Sequence, residues 1–373
     1  MKLPSLVLVF LIFSCSHNNE NCLFRPKAIV KINNKDVSDT ISLVFIGDVM
    51  GHRPVLNSFY NKDQKTYNFD YLFEEVSPLI KNSDYAIANL ELTLAGRPFN
   101  GYPRFSAPIE LAKSCKNAGI QVLTTANNHS CDRGKKGIIK TINKLDKIGI
   151  RHLGTYLDKE SRENSNLVIL KKNSIKIGLL NYTYGTNGLP IPEGVCVNLI
   201  DTTQMKLDIE KSKTQRLDKL VVLLHWGNEY QLKPSKEQRE LGDFLYKHGV
   251  DVIIGSHPHV IQPMEFKKNK EGLEKLTVFS LGNFISNQRK PNTDGGALVK
   301  LRFVKKNNLT KLLPPGYFLT WVNKFVEKGR NKYQIIPCLF KKSNTAIRKL
   351  NYFMSSTRKR LAKNNIGVDE ILD

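Results

Sequence analysis

Five short apolar runs in this chain stop abruptly at a side chain that can bind a metal or move a proton. Ile41–Ile46 runs into Gly47-Asp48, Tyr85–Leu90 into Glu91, and Ile120–Thr125 into Asn127-Asn128-His129. Leu220–Leu224 runs into His225, and Val250–Ile254 into Gly255-Ser256-His257-Pro258-His259. Continuous apolar runs of this length, bounded by glycine and polar residues, predict buried strands. In open α/β sheets, ligands bind at the strand ends. The pattern therefore predicts an α/β fold with one site assembled from several strand termini.

Between the runs the spacing is helical. Phe69, Leu72, Phe73, Val76 and Ile80 predict a helix over 69–80; others are expected at 109–118, 135–148 and 205–217. Ser235 is placed to cap a helix running to His248. Leu167–Leu170 and Ile175–Leu180 predict a hairpin across Lys171–Ser174. Leu276–Leu281 and Ala297–Val304 extend the strands. Past Lys305 the pattern weakens, Pro314-Pro315 marks a boundary, and the tail offers one strand, Tyr333–Cys338, and a basic helix from about Ala346.

The strand ends collect two carboxylates, Asp48 and Glu91, the amide Asn128 and four imidazoles, His129, His225, His257 and His259. Hard carboxylates together with imidazoles suit Mn, Fe or Zn better than Ca or a lone Mg. So many donors fit two close divalent ions sharing a carboxylate. The His257-x-His259 spacing is expected to send both imidazoles to one side.

At 373 residues the chain is long enough for a large core, and its 57 Lys+Arg against 34 Asp+Glu give a formal charge of +23. Such a surface favours anionic partners. No nucleic-acid motif is present, so a generally lysine-rich composition is the expected reading over DNA binding. The N-terminus has a short basic start, an apolar run Leu6–Phe13 too short to span a membrane, and then Ser14-Cys15. This resembles a bacterial lipobox with Cys15 as the lipidated residue. It predicts export to the cell envelope and membrane attachment through the lipid. The organisation expected is a signal peptide over 1–14, a polar tether over 15–40, the main domain over 41–305 and a basic extension over 306–373. The wide spacing of six cysteines resembles no disulfide scaffold or zinc ribbon.

Six segments occur in order: Gly47-Asp48-Val49-Met50, Asn89-Leu90-Glu91, Asn127-Asn128-His129-x-x-Asp132-x-Gly134, His225-Trp226-Gly227-x-Glu229-Tyr230, Gly255-x-His257-Pro258-His259-Val260-x-Gln262 and Ser280-Leu281-Gly282-Asn283-Phe284. Together they resemble the CapA family, the poly-γ-glutamate capsule biosynthesis proteins, over roughly residues 41–305. That family is similar to calcineurin-like metallophosphoesterases, which implies a four-layer α-β-β-α sandwich. The resemblance implies that Asp48 and His259 hold a first ion, Glu91 bridges, and Asn128, His225 and His257 hold a second. His129 would be the proton donor. It also implies a role in making or anchoring an anionic polymer, with that polymer or a phosphorylated substrate as partner, alongside capsule synthesis proteins.

Met50 stands where the wider superfamily has the histidine of Asp-x-His, and His52 is the nearest substitute. Around these residues, Arg53 and Arg104 are candidates for anion binding. Asn89, Asn127 and Asn283 are candidates to support the ligands. Trp226 offers either core packing or a substrate platform, Glu229 a neighbour for His225, and Asp132 a cap for the helix near Gly134. His152 and His248 are expected to be structural. A secreted metallophosphatase and a non-catalytic polymer-binding protein are the two competing expectations.

Overall fold

The computed structural model describes residues 39–339 and 347–372. The expected signal peptide, Cys15 and all but the last two residues of the expected tether lie outside these. Asp39 and Thr40 already belong to the first strand, Asp39–Val49.

Two sheets form the centre. One has ten strands, with the path Arg330–Pro337, Gly316–Glu327, Gly295–Lys306, Asp39–Val49, Tyr85–Leu90, Val122–Thr124, Arg151–Leu153. The other has six: Met264–Lys268, Glu274–Val278, Val252–Ser256, Lys219–His225, Ile175–Thr183, Val168–Lys172. Asp39–Val49 through Arg151–Leu153 run parallel, as do Ile175–Thr183 through Glu274–Val278. These strands are apolar on both faces because both faces are covered. Ile41, Leu43, Phe45 and Ile87 of the larger sheet pack with Ile177, Leu179, Val221 and Ile254 of the smaller in one buried cluster.

Helices cover the outer faces. Leu72, Ile80 and Leu111 join the outer cluster of the larger sheet. Met205, Ile209 and Leu245 join that of the smaller. This is the expected α-β-β-α sandwich. Local signals account for several helix ends. In Lys236–Lys247, Ser235 accepts from the Gln238 N–H and Gln238 Oε1 accepts from the Ser235 N–H, a reciprocal cap.

Two expectations are corrected. The helix over 69–80 is two pieces, Asp70–Phe73 and Ser77–Lys81, because Pro78 suits a helix start and cannot donate within a continuous helix. Its apolar residues are nonetheless all buried. The boundary at 305 falls inside the strand Gly295–Lys306. Beyond it, Gly316–Glu327 and Arg330–Pro337 add to the larger sheet, and the helix Ile347–Asn364 buries Phe353 and Leu361 in the cluster that both sheets share. The described residues therefore pack as one unit. Cys115, Cys131, Cys196 and Cys338 are free thiols. Among the described residues no helix is long and apolar enough to cross a membrane.

Two glycines let the strand ends converge. Gly47 is an extra residue in the pairing of Asp39–Val49 with Tyr85–Leu90, where Ile46 faces Ala88 and Asp48 faces Asn89. This bulge re-aims Asp48. A Cβ on Gly47 would sit 2.1 Å from the Gly282 carbonyl oxygen, and one on Gly255 would sit 2.0 Å from that of Phe279.

Candidate metal centre

The carboxyl ends of both sets of parallel strands bring Asp48, Glu91, Asn128, His129, His225, His257 and His259 together, all buried. Glu91 lies at the middle. Its Oε1 is 3.7 Å from His225 Nε2, 3.7 Å from His259 Nε2 and 4.0 Å from His129 Nε2. These separations exceed hydrogen bonds. Neither Glu91 oxygen has a hydrogen-bond partner among the described residues. Ligand atoms bound at roughly 2.0–2.2 Å to one ion sit about 3–4 Å apart. Asp48, Glu91 and His225 offer ligand atoms within 4.8 Å of one another, and so do Glu91, His257 and His259.

The neighbours orient these donors. Asn89 Nδ2 donates to Asp48 Oδ1 at 2.8 Å and lies 3.2 Å from His225 Nδ1. His259 Nδ1 faces two acceptors, Asp48 Oδ2 at 3.2 Å and Asn283 Oδ1 at 3.1 Å. Nδ1 therefore carries the proton, and Nε2 keeps its lone pair toward Glu91. Asn283 is itself held by Nδ2, which donates to the Thr293 carbonyl at 2.8 Å. His225 Nε2 is 2.9 Å from Asn128 Oδ1. Asn127 Oδ1 accepts from the His129 N–H at 3.1 Å, and its Nδ2 donates to the Leu90 carbonyl at 2.8 Å. Glu229 Oε1 lies 3.9 Å from His259 Nε2, facing His259 rather than the expected His225.

With protein groups alone the electrostatics are unfavourable. Burial, reinforced by Asp48, pushes the Glu91 carboxyl well above the usual range. Burial, then the His257 charge, pushes His225 well below its usual value. Burial and His259 bring His257 down to about 3. Imidazoles held neutral beside an unpaired carboxylate are the donor set that a divalent cation satisfies.

Several expectations change. His257 and His259 both turn toward Glu91, but not through strand alternation. The strand ends at Ser256, and both residues take left-handed backbone angles, φ +97° and +58°, so strand alternation does not continue through them. His257 leans on Tyr184 and His225, while His259 reaches Asp48. Asp132 caps no helix: the helix Gly134–Lys147 has no side-chain cap. Asp132 Oδ2 instead accepts from the Phe105 N–H at 2.6 Å and lies 2.8 Å from His129 Nδ1. Met50 is buried in the outer apolar cluster. The substitute ligand His52 is in neither group of three donors; its Nδ1 accepts from the Asn287 N–H at 3.3 Å. Trp226 is core, stacked on Phe279 with Nε1 donating to the Phe279 carbonyl at 2.9 Å. Arg53 is exposed, its guanidinium held by Asn100, and Arg104 is exposed on the neighbouring loop. His152 pairs with Asp146, and His248 bonds the Phe244 carbonyl, both in structural roles.

Tyr184 is an exposed aromatic residue beside the cluster. It is 46% exposed and its ring lies 4.6 Å from that of His257. It follows the strand Ile175–Thr183, so it too is a strand-end residue.

A family model for the bacterial capsule synthesis protein PGA_cap matches residues 42–288. The chain is 30% identical over 300 residues to the capsule biosynthesis protein CapA of Bacillus anthracis, covering 78% of this chain and 69% of that one. It is 28% identical over 276 residues to the PGA biosynthesis protein CapA of Bacillus subtilis (strain 168), covering 72% and 69%. The structure is similar to NAD nucleotidase of Haemophilus influenzae, with TM-score 0.51 and 14% identity over 90% of this chain and 65% of that one. This last likeness is one of fold. The matched stretch contains every residue of the buried cluster, from Asp48 to Asn283, and by that match the chain belongs to the bacterial capsule synthesis protein family PGA_cap.

Proposed function

We propose that this protein works at the bacterial cell envelope in the biosynthesis or anchoring of an anionic capsule polymer of the poly-γ-glutamate type, through a divalent-metal site of hydrolase or transferase character. Glu91 carries this reading: a fully buried carboxylate, unpaired by hydrogen bonds, ringed by imidazoles at distances that suit shared coordination. Because Glu91 belongs to both groups of three donors, it would serve each of two ions if two are held. The mixed carboxylate and imidazole set favours Mn, Fe or Zn. The names of the Bacillus relatives support the polymer assignment.

Asp48, Glu91, His225, His257 and His259, with the Asn128 amide oxygen, would hold the ions. A bound cation supplies Lewis acidity toward a phosphoryl or acyl oxygen. The chain's own contribution beyond binding is the His129–Asp132 pair. A carboxylate only accepts, so His129 Nδ1 holds a proton and Nε2 is left to deliver or receive one at the leaving oxygen. Tyr184, over His225 and His257, walls the site from solvent on one side.

The test is to load the purified protein with Mn, Fe or Zn, then offer poly-γ-glutamate and an aryl phosphate. Metal-dependent change of the polymer supports the proposal. Phosphate release alone favours a secreted metallophosphatase. Polymer binding that survives chelation, without turnover, favours a binding protein that uses its +23 charge. A double His257→Ala, His259→Ala variant should fold but lose most of its metal by elemental analysis; a full metal complement would remove both from the ligand set.

Attachment at the envelope is part of the proposal. The apolar run Leu6–Phe13 followed by Ser14-Cys15 supports it. Cys15→Ala should abolish metabolic lipid labelling in a bacterial host, and unchanged labelling would exclude Cys15 as acceptor.

A further inference from the structure

We propose that His52 binds an oxyanion of the substrate, as a neutral imidazole locked to present Nε2–H beside the metal centre. This rests on the reading of that centre as a substrate-processing site.

The argument begins with hydrogen-bond polarity. The Asn287 backbone N–H donates to His52 Nδ1 at 3.3 Å. A nitrogen that accepts there carries no proton, so the neutral ring holds its proton on Nε2. No described residue accepts from that Nε2–H. His129 has the opposite arrangement, since its Nδ1 donates to the Asp132 carboxylate. One imidazole is therefore set to exchange a proton, and the other only to donate a hydrogen bond.

The two rings are held as a pair. Phe105 meets His52 at a centroid distance of 5.3 Å and 87°, and His129 at 4.7 Å and 89°. Phe105 is fixed at both ends: its N–H donates to Asp132, and its carbonyl accepts from Thr93 Oγ1 at 2.7 Å. Asp132 thus positions His129 directly and His52 through Phe105. Burial, with the charges of His259 and His129 nearby, brings His52 down to about 4, which keeps it neutral near pH 7.

This geometry separates His52 from ligation. A ligand would turn a lone pair to the ion, but the lone pair of His52 is on Nδ1 and already accepts from Asn287. What remains is one donor for an anionic oxygen. Phosphoryl and carboxylate oxygens both satisfy it.

The test uses the zinc-loaded protein with ¹⁵N-labelled imidazoles, and His52→Gln to identify the His52 signals. The expected result is an Nε2–H tautomer at pH 7, with signals that move when orthophosphate is added. His52→Gln should keep its zinc and bind orthophosphate about ten-fold or more weakly, as the loss of a hydrogen bond to a charged group implies. A parallel acetate titration distinguishes the anions: weakening of both means any oxyanion, and of orthophosphate alone a phosphoryl group. An Nδ1–H tautomer, loss of zinc in His52→Gln, or unchanged affinity for both anions would each overturn the proposal. A wild-type protein that binds no metal defeats the proposed function, while the tautomer of His52 and its response to anions still decide this one.

Discussion

Glu91→Gln is expected to stabilise the metal-free protein and to abolish its stabilisation by metal. The wild-type carboxylate is buried with no hydrogen-bond partner, and burial raises it well above its usual range. A carboxyl raised in the folded state contributes stability below its unfolded value of 4.5, and that contribution is lost as pH rises through the folded value. At pH 8 the ion-free wild type therefore bears the cost, whereas glutamine has the same shape and no charge. An unsatisfied buried group typically costs about 1–3 kcal/mol. With metal present the order reverses. An ion at a thousand times its Kd stabilises the folded state by about 4 kcal/mol, and the variant would forgo most of this. Thermal unfolding with chelator and with Mn, at pH 5 and pH 8, reads both arms. In chelator the variant should melt a few degrees above wild type, by a margin wider at pH 8. Equal responses of the two proteins to metal would remove Glu91 from the centre of the site.

The second large effect is on turnover. His129→Ala should keep its metal and its fold yet lose roughly 10²–10⁴-fold in rate, the usual span for general-acid catalysis. The metal is retained because His129 Nε2 is the most distant of the three imidazole nitrogens from Glu91 Oε1, at 4.0 Å. The loss should shrink for substrates whose leaving groups need no proton. Asp132→Asn should fall between, since asparagine keeps an acceptor for the Phe105 N–H but cannot steady a charged imidazole as a carboxylate does. Loss of metal together with activity in His129→Ala would instead make His129 a ligand. Equal rates for good and poor leaving groups would end its assignment as the acid.

Strand ends were legible in the sequence because their signal is local. An apolar run must stop somewhere, and a buried sheet makes its last residue the first that can be polar. Asp48, Glu91, Asn128, His225 and His257 all follow such runs, whereas the apolar run before Tyr184 is broken by Asn181 and hides the strand's last three residues. The resemblance to capsule proteins rested on the same segments, so family and fold were readable together.

Tertiary structure decided what those residues face. Asp132 is three residues from His129 and looked like a helix cap. It became the partner of His129 because Phe105, 27 residues earlier in the chain, donates to the same oxygen. His52 looked like a replacement ligand until the Asn287 N–H, 235 residues away, took its Nδ1. The C-terminal strands looked like an extension because charged residues interrupt the pattern after Lys305, yet Gly316–Glu327 completes the sheet beside Gly295–Lys306. The sequence by itself determined which residues end strands, because periodicity and burial act over a few residues at a time. Only the fold decided which donor meets which acceptor, because a hydrogen bond depends on distance in space and the partners lie tens to hundreds of residues apart.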